Sequence, residues 1–233
     1  MLGWSGESDD TAWNETLALI FYMHGFHSSI LSIMTATQTL EHLFESHHGL
    51  IRRQDVLNAG LHPRLLTQFV LGGRAERAGR GIYRLIGTEG FTHEALLEIS
   101  YQVPKAIVCL LSAMDFHGLS TFVPSSVHLA LPRGAHQPTL EATSVIWFAF
   151  SKSTYDYGIE AHRIGPGIVR VYSKEKTLAD LLRFQKRLGL ELFLESLKTY
   201  LTGRGRDLNR LLEAARACGV KRSMEHYLKV VLA

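Results

Sequence analysis

Arg74, Arg77, Arg80 and Arg84 fall within eleven residues, and a single acid, Glu76, opposes them. A guanidinium is always charged and offers a planar fork of donors, which suits phosphate oxygens and the guanine edge. Arg80 stands between Gly79 and Gly81, at the tip of a tight turn. An arginine so placed can enter a minor groove, where narrow A·T tracts concentrate negative potential. Upstream, Arg64, Thr67 and Gln68 recur at helical spacing, opposite Leu65, Leu66 and Phe69. In a major groove Arg can read guanine and Gln adenine. Arg52 and Arg53 precede a short helix and are placed for phosphates. Together with Arg84 in the second strand, these residues point to double-stranded DNA. The alternative is a protein-interaction module of the same shape.

Such residues need a scaffold, and the pattern around them supplies one. From Met34 the sequence turns helical, with Leu40, Leu43 and Phe44 on one face and Gly49 as the stop. A second helix is expected over Arg52–Ala59. A third is expected over Pro63–Leu71, with proline suited to a first helical turn. Short β-type segments then flank Gly79-Arg80-Gly81, which reads as a two-stranded hairpin. Helix, helix, helix, hairpin is the order of a winged helix-turn-helix. The glycine in Ala59-Gly60-Leu61-His62 fits the turn between the second and third helices.

Residues 88–103 read as a helical connector and Lys105–His117 as a central apolar helix. Strands are expected at Val127–Leu131, Val145–Phe150, Ile159–Ile164 and Ile168–Tyr172, and helices at Lys174–Leu188, Leu190–Leu201, Leu208–Cys218 and Lys221–Leu232. The fold class is therefore α+β: an N-terminal winged helix-turn-helix, then a mixed domain with a small β-sheet and a C-terminal helical bundle. The expected divisions are a DNA-binding domain at 34–87 and a partner-binding domain at 88–233. Residues 1–33 are expected to be an N-terminal extension, disordered or the product of an upstream start; a genuine amphipathic segment is the alternative.

Other chemistries find little support. The chain has twelve histidines, but His24-x-x-His27 and His47-His48 lack neighbouring Cys or carboxylate spacing, so no metal is expected. His117, before Gly118, reads as a histidine at a helix C-terminus. Cys109 reads as core, and no CxxC pairs either cysteine. No Gly-x-Ser-x-Gly or Walker continuation is present. No cofactor and no enzymatic activity are expected. A nuclease would have to draw on Asp156, Glu160 and Lys174, which show no motif spacing.

The formal net charge is +3 over 233 residues, but it is unevenly spread. Residues 34–87 hold seven arginines against four acids, residues 88–169 are mildly acidic, and residues 170–233 are basic. Two basic surfaces suit nucleic acid or an acidic partner. No stretch reaches the roughly 20 apolar residues of a membrane span, and the expectation is a cytoplasmic protein.

Three stretches, in order, resemble the AbiEi-type antitoxins, transcriptional repressors of type IV toxin–antitoxin and abortive-infection (phage-defence) systems. They are Gly73-Arg-Ala-Glu-Arg-Ala-Gly-Arg-Gly-Ile-Tyr83, Pro104 through Thr121, and Val171-Tyr-Ser-Lys-Glu-Lys-Thr-Leu-Ala-Asp180. The resemblance implies a winged helix that binds inverted repeats upstream of its own operon, with paired copies on DNA. It also implies a second domain that counteracts a co-encoded nucleotidyltransferase-like toxin, with or without direct contact. Arg64, Arg74, Arg77 and Arg80 match the family's DNA-contacting surface. Ala75 stands where the family usually has a larger apolar residue. A stand-alone regulator with a ligand- or protein-sensing C-terminal domain is the alternative.

Overall fold

The computed structural model describes residues 35–140 and 143–232; the extension at 1–33, with His24 and His27, lies outside them. The fold is mixed α+β. A helix at 35–46 (α1) leads into β1 (Leu50–Arg52), α2 (Arg53–Asn58), α3 (Arg64–Leu71), β2 (Ala75–Gly79) and β3 (Ile82–Leu85). The three strands form an antiparallel sheet in the order β1-β3-β2. Strand alternation gives this sheet two buried faces. Ile51, Ala75 and Tyr83 pack with Leu40, Phe44, Val56, Leu66 and Phe69 from the three helices. Leu50 and Ile82, from the other face, pack with Leu96, Leu97 and Ile99 of α4 (Glu94–Gln102). Ala75 is almost fully buried in the first of these clusters.

Beyond α4 the chain forms β4 (Ile107–Val108), α5 (Leu110–Phe116), β5 (Val127–Pro132), β6 (Val145–Phe150), α6 (Lys152–Tyr155), β7 (Ile159–Ile164) and β8 (Gly167–Tyr172). The five strands make a mixed sheet in the order β6-β5-β4-β8-β7. Val108, Leu129, Val169 and Val171 join the α4 side of the sheet. Ile107, Ala130, Phe148, Phe150 and Tyr172 join the opposite core.

The helix expected over Lys105–His117 is shorter than the sequence suggests. Ile107 and Val108 instead pair antiparallel with β5, and Val108 pairs parallel with Val171 of β8, so this two-residue strand sits at the centre of the sheet. A run that is apolar on every side suits a buried strand as well as a buried helix, and periodicity cannot separate them. The backbone turns at Leu110, the first residue of α5, whose φ is 48°.

The remaining helices are α7 (Lys174–Arg183), α8 (Gln185–Leu188), α9 (Leu190–Thr202), α10 (Leu208–Ala217) and α11 (Lys221–Leu232). One helix was expected over Lys174–Leu188, but the chain breaks at Phe184, whose ring packs against Phe148 and Phe150. The helix at the centre of this bundle is α7, buried from Glu175 to Leu182. Ser173 caps it, its Oγ accepting from the Lys176 amide at 3.2 Å. Gly158 lies against it with φ 69°, and a Cβ there would fall 2.7 Å from the Lys176 Cβ. Lys176 and Asp180 are both fully buried and paired with each other one turn apart. The Lys176 ammonium also lies 4.3 Å from the Tyr172 ring centroid, and the Cys218 thiol lies 3.4 Å from Asp180 Oδ1. Among the described residues no helix is long and apolar enough to cross a membrane.

Candidate nucleic-acid interface

The apolar stripe of α3 fixes what its other side presents. Leu65, Leu66 and Phe69 are buried, with the Phe69 ring stacked 6.1 Å from that of Phe44. This leaves Arg64, Thr67 and Gln68 exposed, as the sequence predicts. Leu71 falls four residues after Thr67 and is 83% exposed. It continues the same stripe as an exposed apolar side chain, which sequence reasoning missed. Its signal was there: a leucine at i+4 on the polar face of an amphipathic helix. The start of α3 is held by His62, whose Nδ1 accepts from the Arg64 amide at 3.2 Å.

The hairpin is mounted beside α2. The Arg53 amide donates to the Gly81 carbonyl at 2.8 Å, which ties the first residue of α2 to the hairpin turn. Gly81 has φ 73°, the left-handed conformation that a two-residue turn needs. The register shifts between Arg77 and Gly79, a bulge that sharpens the twist of the hairpin. Arg53, Arg64, Arg77 and Arg80 are all exposed. None of these four forms an ion pair among the described residues. The Arg77 guanidinium lies 5.8 Å from the Tyr83 ring centroid.

The other three arginines are committed elsewhere. Arg52 donates to Asp55 from Nε at 3.1 Å and from NH2 at 2.7 Å, and lies 4.7 Å from the Tyr101 ring centroid. Asp55 also accepts from the Arg52 amide at 2.8 Å. Burial pushes the Asp55 carboxyl upward, but the hydrogen bonds from Arg52 prevail and hold it below the usual carboxylate range. Arg74 pairs with Glu41 of α1 and lies over the Phe69 ring at 4.1 Å.

Arg84 faces α4. It contacts Glu76 at 3.0 Å, Glu94 at 3.2 Å, and Glu98. Burial holds the Glu98 carboxyl above its usual range, and Glu94 and Glu76 reinforce this against the opposing pull of Arg84. The structure therefore does not bring Arg84 to the exposed surface that carries Arg53, Arg64, Arg77 and Arg80. A cleft of about 780 Å³ opens beside that surface, lined by Arg77, Arg80, Tyr101, Gln102, Pro138 and Leu140.

The residues weighed for other chemistry find separate partners. Asp156 pairs with Lys152 at 2.7 Å, whereas Glu160 lies 3.3 Å from His162 and 3.6 Å from Arg210. Lys174 is exposed at the start of α7. Both cysteines are buried. Burial pushes the Cys109 thiol well up, and burial with the Asp180 charge pushes that of Cys218 to about 12. His117 does sit at the C-terminal end of α5. Burial holds it below the ordinary histidine range, and its hydrogen bond to the Tyr172 carbonyl offsets this only in part.

Residues 38–86 match the family model "Transcriptional regulator, AbiEi antitoxin". The AbiEi match runs from α1 through β3, so it takes in α3, the hairpin and Arg52, Arg53, Arg64, Arg74, Arg77, Arg80 and Arg84. Over this segment the family resemblance read from the sequence is shown. A crystal structure of the RV2827C protein from Mycobacterium tuberculosis is similar to 84% of this chain and covers 81% of that chain, at 15% identity and a TM-score of 0.44. No curated protein matches the chain.

Proposed function

We propose that the protein is a DNA-binding transcriptional repressor and the antitoxin of a type IV toxin–antitoxin system. In this reading residues 34–87 are a winged helix-turn-helix: α3 is the recognition helix and the β2–β3 hairpin the wing. Residues 88–233 form the domain that counteracts a nucleotidyltransferase-like toxin, and the protein is not an enzyme.

One observation carries the reading. Within the segment that matches the AbiEi model, Arg53, Arg64, Arg77 and Arg80 are exposed and form no ion pair among the described residues, while Thr67 and Gln68 stand on the outer face of α3. Arg64 and Gln68 are one helical turn apart, the spacing that lets two side chains reach neighbouring base edges. Arg53 and Arg80 sit on backbone joined through Gly81, so a phosphate contact and a groove contact come from one rigid corner.

The test is a gel-shift titration on DNA from upstream of the protein's own gene, at two salt concentrations. Binding should weaken steeply with salt, by about 0.9 log units per log unit of salt for each phosphate neutralised. Arg80→Ala should weaken it and flatten that slope by roughly one such contact. An unchanged affinity in Arg80→Ala would sink the wing assignment.

A second reading rests on the cleft beside the hairpin. Arg77 and Arg80 line it, so an anionic ligand there would compete with DNA. This is the ligand-sensing regulator, and it predicts that a bound ligand raises the thermal midpoint and releases DNA.

A further inference from the structure

Glu160 and His162 are two residues apart on β7, so they share a face of that strand. The strand is at the edge of the five-stranded sheet, and the C-terminal end of α5 brings His117 beside it. One ligand atom from each of His117, Glu160 and His162 can be chosen so that all three lie within 4.8 Å of one another. His162 Nε2 is shut off from solvent and makes no hydrogen bond, although Glu160 Oε2 is only 3.3 Å away. A buried ring nitrogen left without a hydrogen bond beside a carboxylate oxygen calls for an explanation.

We propose that His117, Glu160 and His162 form a site for a divalent cation of borderline softness, with Zn²⁺ as its natural occupant. Two imidazoles and a carboxylate are a donor set suited to zinc. Two ligands of a tetrahedral ion with bonds near 2.1 Å stand about 3.4 Å apart, close to the 3.3 Å between His162 and Glu160.

The surrounding groups are arranged as outer-shell partners. His117 Nε2 donates to the Tyr172 carbonyl at 2.7 Å, which fixes the ring and leaves Nδ1 as the lone-pair nitrogen. Arg210 reaches the second oxygen of Glu160 at 3.6 Å and so orients the carboxylate. Phe116 packs edge-on against both imidazoles, with centroids 5.3 Å from His117 and 4.8 Å from His162. Three protein ligands leave one position open, for water or for a side chain of a partner. An ion here pins the end of α5 to the free edge of the sheet.

The experiment titrates the metal-depleted full chain with Zn²⁺ against a chromophoric chelator and follows the thermal midpoint. One Zn²⁺ per chain should bind at this site, and the midpoint should rise by roughly 5–10 °C at a hundredfold excess over Kd. Both effects should disappear in His162→Gln and in Glu160→Gln. Both should persist when His24, His27, His47 and His48 are replaced together by Gln, which removes the other closely spaced histidines. Glu160→Gln keeps the shape of its side chain, so it carries the test if His162→Gln fails to fold. No saturable binding, or binding that survives in Glu160→Gln, would overturn the proposal. So would binding that is lost only with His24, His27, His47 and His48.

Discussion

Arg84 and Arg80 are four residues apart in the same hairpin, yet the structure places them differently: Arg84 pairs with Glu76, Glu94 and Glu98, whereas Arg80 is exposed. Arg84→Ala removes the cation that pairs with Glu76, Glu94 and Glu98. Breaking a fully buried ion pair costs about 3–5 kcal/mol, because the remaining charge is stranded. The Arg84 side chain is 31% exposed and that of Glu98 is 9% exposed, so solvent screens part of this loss. The expected cost is about 2 kcal/mol, which for a chain of this size lowers the thermal midpoint by roughly 4–8 °C.

The sign of the pH dependence follows from Glu98. Its folded pKa is raised above the ordinary 4.5, so the native state holds that proton more tightly than the unfolded chain. Such a group contributes stability below its unfolded pKa and loses it as pH rises through the folded pKa. Removing Arg84 removes the one pull that opposes the rise. The deficit of Arg84→Ala is therefore complete at pH 8 and narrows as pH falls toward 4.5, while the double variant Arg84→Ala/Glu98→Gln recovers much of it at pH 8. Arg80→Ala should melt like the native chain at every pH and lose DNA affinity. Thermal melts across pH, with gel shifts on the same samples, separate the two. If Arg84→Ala kept the native midpoint and lost DNA affinity as Arg80→Ala does, the assignment of Arg84 to the α4 contact would be wrong.

Two further perturbations test ion pairs elsewhere in the fold. Lys176→Met strands the Asp180 carboxylate, which burial already pushes upward against the pull of Lys176, and should cost about 3–5 kcal/mol in urea unfolding. Lys176→Met/Asp180→Leu should recover most of that loss, and a double variant as weak as the single one would count against the pair. Asp55→Ala should cost about 1–2 kcal/mol, because it deletes a cap and the Arg52 contacts together. The Asp55 pKa is depressed, so its contribution is present above the ordinary 3.8 and lost as pH falls through the folded value; the difference from the native chain should shrink on acidification.

Much of the architecture was legible because it is written locally. The strands β6 and β7 occupy the residues expected from the sequence, and β5 and β8 differ by one residue each. The hairpin followed from two glycines, and the outer face of α3 followed from its leucines. What could not be read depends on partners distant in sequence. β1 is three residues long and exists only because Leu50–Arg52 pair with β3. β4 is hidden in an apolar run whose neighbours are 20 and more residues away. Lys176 and Asp180 have the spacing of an ordinary solvated helix pair, and nothing local says that α7 is at the centre of a bundle. Alternation places Arg84 on one face of its strand, but the glutamates that claim it arrive from α4. His117 meets Glu160 and His162 only through the fold, and no short spacing along the chain links it to them.

The packing around α4 also constrains how the exposed arginines can act. Leu50 and Ile82 of the small sheet share one apolar cluster with Leu96, Leu97 and Ile99 of α4 and with Val169 and Val171 of the large sheet. Arg84 adds ion pairs to Glu94 and Glu98 on the same helix, and Arg52 lies against Tyr101 near its end. Both faces of the three-stranded sheet are thus buried, one by α1, α2 and α3 and the other by α4. Tilting the hairpin relative to α4 would separate the Arg84 ion pairs and open the cluster around Ile82. Close-packed interiors resist such gradual deformation and shift between discrete arrangements instead. A hairpin mounted in this way is presented rigidly, so on the proposed reading less entropy is lost when Arg80 is fixed in a groove. The same mounting means that a change at β8 or α4 reaches Arg80 through packed side chains rather than through a flexible linker.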